Sequence, residues 1–184
     1  TSTVWYEVYR TLMGMRWQPS IQIIPHDESE PLDIEALVKS IENKIQTISW
    51  KPDLILASYH GIPKKYFNKG DPYQCYCQKT TRLVRENFSK IKIQTSFQSR
   101  FGPQEWLTPY TDKTIELLPS EGVKKLLVIC PGFASDCVET LEEINIQGKE
   151  SFLKSGGEKF DLIPCLNDNP DHIMLFESLV KKYF

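Results

Sequence analysis

Apolar residues along this chain fall into two alternating patterns: short continuous runs, and longer stretches in which every third or fourth residue is apolar. Val4, Val8, Leu12 and Met15 recur at helical spacing, so the chain opens in a helix with no strand ahead of it. After Pro19, Ile21 to Pro25 reads as a short buried strand. Asp33 then caps a helix whose inner stripe is Ile34, Leu37, Val38, Ile41, Ile45 and Ile48. The cycle repeats with a strand over Asp53 to Tyr59, a Gly/Pro-punctuated loop over Gly61 to Tyr73, and a helix over Gln74 to Ser89 with Leu83, Val84 and Phe88 inward. Lys92 to Ser99 predicts the next strand, Arg100 to Tyr110 an irregular loop, and Thr111 to about Leu118 a helix stopped by Pro119. Lys125 to Cys130 is a continuous apolar strand; Pro131 and Gly132 turn the chain, and Ser135 caps a helix that stops at Gly156 and Gly157. A last strand, Phe160 to Leu166, leads to a helix opening at Pro170 with Ile173, Phe176, Leu179 and Val180 inward.

Short strands buried on both faces and each followed by a helix predict a three-layer α/β fold, a parallel sheet flanked by helices with right-handed crossovers, like a Rossmann half. Ligands in such folds sit beyond the carboxyl ends of the strands, which directs attention to the loops after His60, Ser99 and Pro131. No linker, repeat or low-complexity stretch divides the chain, so residues 1–20 read as a leading helix and residues 21–184 as one domain. A helix without its preceding strand suggests an earlier part of the natural protein.

Composition narrows the classes. The 184 residues carry 22 Lys plus Arg against 24 Asp plus Glu, a net charge of −2 that argues against nucleic acid as a partner. No apolar run approaches the roughly 20 residues that span a bilayer. Five cysteines, an odd number, with Cys130 and Cys165 on expected strands, fit reduced thiols and a cytoplasmic location. Cys75 and Cys77 form a C-x-C pair, but no second pair completes a metal site.

Three constellations could carry chemistry. His60 ends a strand in Ser58-Tyr59-His60-Gly61-Ile62-Pro63, where a neutral imidazole could accept a proton or hold a metal, or simply be a satisfied buried histidine. In the second loop, Trp106 and Tyr110 offer ring faces and Arg100 a fork for a carboxylate, the groups an anionic flat molecule requires, against the plainer reading of a packed surface loop. In the third, Glu139 and Glu143 lie four apart on an expected helix, about 5 to 6 Å apart at Cβ, where crowding should raise the pKa of one of them. The plainer reading there is a solvated first turn. His26 and His172 read as surface residues.

Taken together, Ser58-Tyr59-His60-Gly61-Ile62-Pro63 with Gly70-Asp71-Pro72-Tyr73, Phe97-Gln98-Ser99-Arg100 with Trp106-Leu107-Thr108-Pro109-Tyr110-Thr111-Asp112, and Pro131-Gly132-Phe133 through Glu139-Thr140-Leu141-Glu142-Glu143 resemble the ferrochelatase family in order and spacing. The resemblance runs over nearly the whole chain. It implies a chelatase-like domain, the later of two similar α/β halves, with residues 21–184 as the C-terminal chelatase domain and the N-terminal half as its missing partner. It implies insertion of Fe2+ into protoporphyrin IX to form protohaem, with His60 and Glu139 as catalytic and metal-contacting residues and Glu143 continuing an acidic line. Trp106 takes the place of a porphyrin-contacting tryptophan. Cys137 stands where some members carry a second histidine. Neither a tightly bound cofactor nor a 2Fe-2S cluster is expected, because the family's cluster cysteines lie in a tail beyond the last helix and this chain ends with that helix. A substrate of low solubility points to peripheral contact with the inner membrane, although no amphipathic basic helix here supplies one. Competing readings are a cobalt or nickel chelatase acting on a more carboxylated tetrapyrrole, and a tetrapyrrole-binding module without catalysis.

Overall fold

Four parallel strands form the centre of the structure, a computed structural model that describes residues 2–24 and 28–183. They are β1 (Leu54–His60), β2 (Lys92–Gln98), β3 (Lys125–Ile129) and β4 (Lys159–Leu162), in the order β2-β1-β3-β4. The helices in chain order are α1 (Ser2–Met13), α2 (Pro31–Thr47), α3 (Lys64–Asn68), α4 (Tyr73–Arg85), α5 (Thr111–Leu117), α6 (Val138–Leu141), α7 (Lys149–Lys154) and α8 (Pro170–Tyr183). The chain steps from β1 outward to β2, then crosses back to β3 on the other side of β1. That reversal makes the crevice between the ends of β1 and β3 the switch point where ligands of such sheets bind.

The expected three layers are present. Ile55, Ala57 and Tyr59 of β1 face α2 and α4, packing with Leu37, Ile41, Val84 and Phe97. Leu54 and Leu56 face the opposite layer with Ile115 of α5, Phe152 of α7, Leu126 and Val128. Burying each such aliphatic or aromatic side chain contributes roughly 1.5–3 kcal/mol. Since strand side chains alternate between faces, Ser58 and His60 follow Leu54 and Leu56 onto the α5 side. The register pairs His60 with Gln98, so β1 and β2 end level.

The glycine stop is a Schellman motif. Gly156 adopts φ +96°, its N–H donates to Leu153 O at 3.1 Å, and the Gly157 N–H donates to Phe152 O at 2.9 Å. This closes α7 over the fully buried Phe152 ring.

Several expectations are corrected. Residues 21–24 join no sheet, and Ile21 and Gln22 are exposed: four apolar-leaning residues without a neighbouring edge to pair with do not make a strand. Pro31, not Asp33, opens α2: Glu30 is the cap residue, the proline ring presets the first turn, and Asp33 lies within that turn, where its charge favours the dipole. The helix expected from Ser135 starts at Val138, with Cys137 as its cap, and is interrupted by a π-helical turn, Glu143–Gly148. In α8 the inward residues are His172, Leu175 and Leu179, whereas Ile173, Phe176 and Val180 are exposed. His172 is therefore not a surface residue: its Nδ1 lies 2.7 Å from Asn167 O and its ring packs at a tilt against Phe176. His26 lies outside the described residues.

Two outcomes follow from the packing. A Cβ added at Gly157 would stand 2.2 Å from the Phe152 ring, which has nowhere to go; Gly157→Ala is expected to destabilise by about 2–3 kcal/mol, read as a lower urea midpoint at unchanged slope. Burial pushes the thiols of Cys77 and Cys165 up to about 12, while Cys75 is exposed. A raised thiol pKa means little thiolate near neutrality, so iodoacetamide at pH 8 should label Cys75 first, and labelling of Cys77 and Cys165 should climb only as pH approaches 12. Mass spectrometry of the peptides reads this directly.

Candidate functional site

His60 is the last residue of β1, and its placement comes from local geometry. The Gly61 N–H donates to Gln98 O at 2.8 Å, which carries the pairing with β2 one residue past His60. A Cβ at Gly61 would lie 3.0 Å from that carbonyl and 3.2 Å from the Trp106 ring, so only glycine fits this approach without displacement. The imidazole Nδ1 sits 2.7 Å from Gly61 O. A carbonyl only accepts, so Nδ1 carries the hydrogen, and the lone pair of the neutral ring is on Nε2. The Tyr73 hydroxyl donates to His60 O at 2.8 Å, anchoring the strand end from the Gly70–Tyr73 loop.

The acidic segment approaches His60 from the α5 side. Cys137 and Thr140 form a capping box at the start of α6, with the Cys137 N–H donating to Thr140 Oγ1 at 3.0 Å. The residue before it, Asp136, accepts from Cys165 N at 3.1 Å and Asn167 Nδ2 at 2.8 Å. Burial alone would raise the Asp136 pKa, but the donors of Asn167 and Cys165 outweigh it and bring it below the ordinary value. At Glu139 the Cys137 thiol, donating to the carboxylate, lowers the pKa, and the nearby His60 adds to the effect. Crowding by Glu143 was expected to raise a glutamate here; at Glu139 the shift runs the other way, with the Cys137 thiol its largest cause.

Glu143 is held elsewhere. Ser99 gives it two hydrogen bonds, from its backbone N–H to Oε1 at 2.7 Å and from its hydroxyl to Oε2 at 2.6 Å. Ser99 does so at φ +61°, an uncommon conformation for a residue with a side chain. Glu143 also begins the π-helical turn, so the simple i,i+4 face shared with Glu139 is broken just where the second carboxylate engages its partner. The same turn borders a cleft of about 500 Å³ into which Glu139, Glu142, Glu143 and Asp112 converge.

Beneath the carboxylates runs a buried polar chain. Ser58 Oγ donates to Gln98 Oε1 at 2.7 Å and lies 2.8 Å from Thr111 Oγ1, which in turn lies 2.8 Å from Ser96 Oγ. Gln98 Nε2 donates to Glu139 O at 2.7 Å. The buried hydrogen bonding of these residues was not read from the sequence; the local signal was Ser58, a polar position after the apolar run of β1, whereas β2 is polar at most positions and marks none of them.

The aromatic loop forms the remaining wall. Its backbone is laced to the segment after His60, with Leu107 N–H donating to Ile62 O at 3.0 Å and Lys64 N–H to Glu105 O at 2.8 Å. Trp106, half-buried, packs over Gly61 and donates from Nε1 to Phe101 O at 3.0 Å. Arg100 and Tyr110 are engaged with each other: the guanidinium lies 4.2 Å over the Tyr110 ring and pairs with Asp112 at 2.6 Å. Thus His60, Glu139, Glu143 and Trp106 come together around the strand ends, and Arg100 with Tyr110 forms the rim. Among the described residues, no three His, Cys, Asp or Glu side chains form a ready metal cage.

Known proteins share this arrangement of motifs. The sequence profile of the ferrochelatase family matches residues 1–183. The ferrochelatases of Allorhizobium ampelinum and Rhizobium meliloti are each 53% identical over 184 residues, covering 99% of this chain and 54% of theirs. That of Brucella anthropi is 50% identical over 99% of the chain and 53% of its own length. The chain therefore spans about half the length of the curated relatives it matches. Among solved structures, a multi-domain Deinococcus radiodurans protein described as structurally similar to chelatases superposes with a TM-score of 0.54 over 81% of this chain and 29% of its own, at 10% identity, a likeness of fold. With the profile running almost end to end and half of all residues shared with named members, the chain belongs to the ferrochelatase family.

Proposed function

We propose that the protein containing this chain inserts Fe2+ into protoporphyrin IX, giving protohaem and releasing two protons, and that this chain carries the reacting side chains. The observation that supports it best is the convergence at the switch point of His60, whose Nδ1 is engaged by the Gly61 carbonyl so that Nε2 is the free ring nitrogen, with Glu139, whose backbone is tied to Gln98, the register partner of His60, while the Trp106 ring packs at the adjoining Gly61. Metal insertion needs a group to take pyrrole protons and groups to draw the cation out of its water shell. His60 Nε2 takes the proton or passes the metal; the Glu139 carboxylate attracts the cation. Glu143, oriented by Ser99, extends the negative path toward the cleft. Trp106 supplies the surface against which the macrocycle lies. Arg100 and Tyr110 border the site, and Arg100 takes a substrate carboxylate only by exchanging Asp112 for it.

In this reading Fe2+ is a substrate, not a resident cofactor. Residues 1–20 continue from an N-terminal half that supplies the other wall of the porphyrin site, and residues 21–184 are the C-terminal chelatase domain. The protein works in the cytoplasm, in peripheral contact with the inner membrane, where its sparingly soluble substrate resides. No helix among the described residues is long and apolar enough to cross a membrane.

Two outcomes test the roles. In the natural-length protein, His60→Ala is expected to lower the rate of metal insertion by about 100-fold or more, followed as the loss of free-base porphyrin bands under anaerobic conditions. A variant with full activity removes His60 from the chemistry. Glu139→Gln keeps the shape and deletes the charge; the same assay should show a loss of at least about tenfold, while a porphyrin shift without insertion in the unaltered protein would mean a binding module instead.

A further inference from the structure

A second surface, outside the site, combines concavity with unbalanced charge. Helix α4 presents Cys75, Gln78, Lys79, Arg82 and Arg85 along one side, and these face Lys64 and Phe67 of α3 and the Leu107–Thr108 wall across a groove of about 810 Å³. The groove continues past Arg82 and Arg85 to Lys90 and Lys92 at the start of β2. Three of the six cations along it have local partners: Lys64 pairs with Glu105, Lys79 with Glu28 and Arg82 with Glu86. Arg85, Lys90 and Lys92 have no ion-pair partner among the described residues. In a chain of net charge −2 this concentration of cations is local.

We propose that this groove is a docking site for an extended, acidic segment of a partner protein. The cations run in a line along one helix side beside an apolar side chain, a pattern that an extended run of carboxylates with an apolar residue complements. The 13 residues of α4 span about 20 Å, the length of roughly six residues of extended peptide. Phe67, 38% exposed, offers an apolar contact at one end, so the segment fits best with an apolar residue among its carboxylates. Nucleic acid fits less well, since the groove has no row of ring faces for bases. The surface stands independently of the proposed reaction, but its wall is the outer side of the site: Pro63 bridges to Trp106, and Glu105 and Leu107 carry the hydrogen bonds that hold that loop. A docked segment thus touches Leu107, the chain neighbour of Trp106.

The probe is a fluorescein-labelled peptide of about twelve residues, rich in Glu with two Phe, long enough to overfill the groove, titrated with the natural-length protein and read by anisotropy. Saturable binding that weakens with salt is expected, and a peptide with Gln for every Glu should not bind. Arg82→Glu with Arg85→Glu should weaken binding about tenfold or more, and Arg82→Gln with Arg85→Gln by less, whereas Lys154→Glu with Lys159→Glu, the same charge change on the far edge, should stay within about twofold. Circular dichroism and Tm show whether the variants keep the fold; the Gln pair decides the matter if the Glu pair does not. Absence of saturable binding overturns the proposal, as does an equal loss in the Lys154 and Lys159 variant. So does binding to phosphatidylglycerol vesicles or to a single-stranded oligonucleotide that depends on Arg82 and Arg85 while the peptide does not bind.

Discussion

One buried amide, that of Gln98, holds the functional edge of this domain together. Its Oε1 accepts from Ser58 Oγ and, at 3.5 Å, from Cys130 Sγ, which orients the amide so that Nε2 reaches the backbone carbonyl of Glu139. Its own carbonyl accepts from the Gly61 N–H. A single residue, 2% exposed, therefore fixes the turn after His60 through its main chain and the start of the acidic segment through its side chain. Leaving such a group unpaired in the interior costs about 1–3 kcal/mol, so the three strand ends and the acidic segment are stabilised as a unit.

The irregularities of the backbone gather at the same place. Ser99 follows Gln98 directly and takes a left-handed conformation that aims both its donors at Glu143. Glu143 starts the π-helical turn, and Ile144 from that turn is buried in the α5-side core with Phe152 and Phe160. Local strain of this kind costs of order 1–3 kcal/mol per residue and persists where surrounding contacts over-determine it. Here the contacts are the carboxylate pair on one side and the apolar core on the other. The result is that two glutamates four apart meet different partners, one a thiol near His60 and one a serine at the end of β2.

Charge is segregated across the same loops. Carboxylates gather in the cleft bordered by the π-helical turn, while lysines and arginines line the groove behind Trp106 and α3. The wall of residues 61–64 and 105–110 is laced by main-chain hydrogen bonds. Its rigidity comes from those bonds and from the Arg100, Tyr110 and Asp112 cluster, which places a cation against a ring and a carboxylate at once.

Much of the fold was legible in the order of residues, because periods of 2 and 3.6 are local properties of the chain. The runs Asp53 to Tyr59 and Lys125 to Cys130 and the paired glycines after α7 announced two strands and a stop, and the alternation of strands with helices implied the parallel sheet with its three layers. The motifs around His60, Trp106 and Glu139 likewise marked the family and the loops where chemistry belongs. Patterns failed where an outcome depended on a distant partner. Ile21 to Ile24 had the composition of a strand but no edge to pair with; the stripe on α8 was misplaced because burial of His172 by Asn167 O is a contact between a loop and a helix; and the helix after Cys137 broke because Glu143 is drawn to Ser99, 44 positions away in the chain. The sequence by itself determined the elements, their succession and the residue types at the strand ends. Only the tertiary structure decided which carboxylate faces His60, which faces Ser99 and what Arg100 holds, since hydrogen bonds between remote segments exist only once the sheet has brought those segments level.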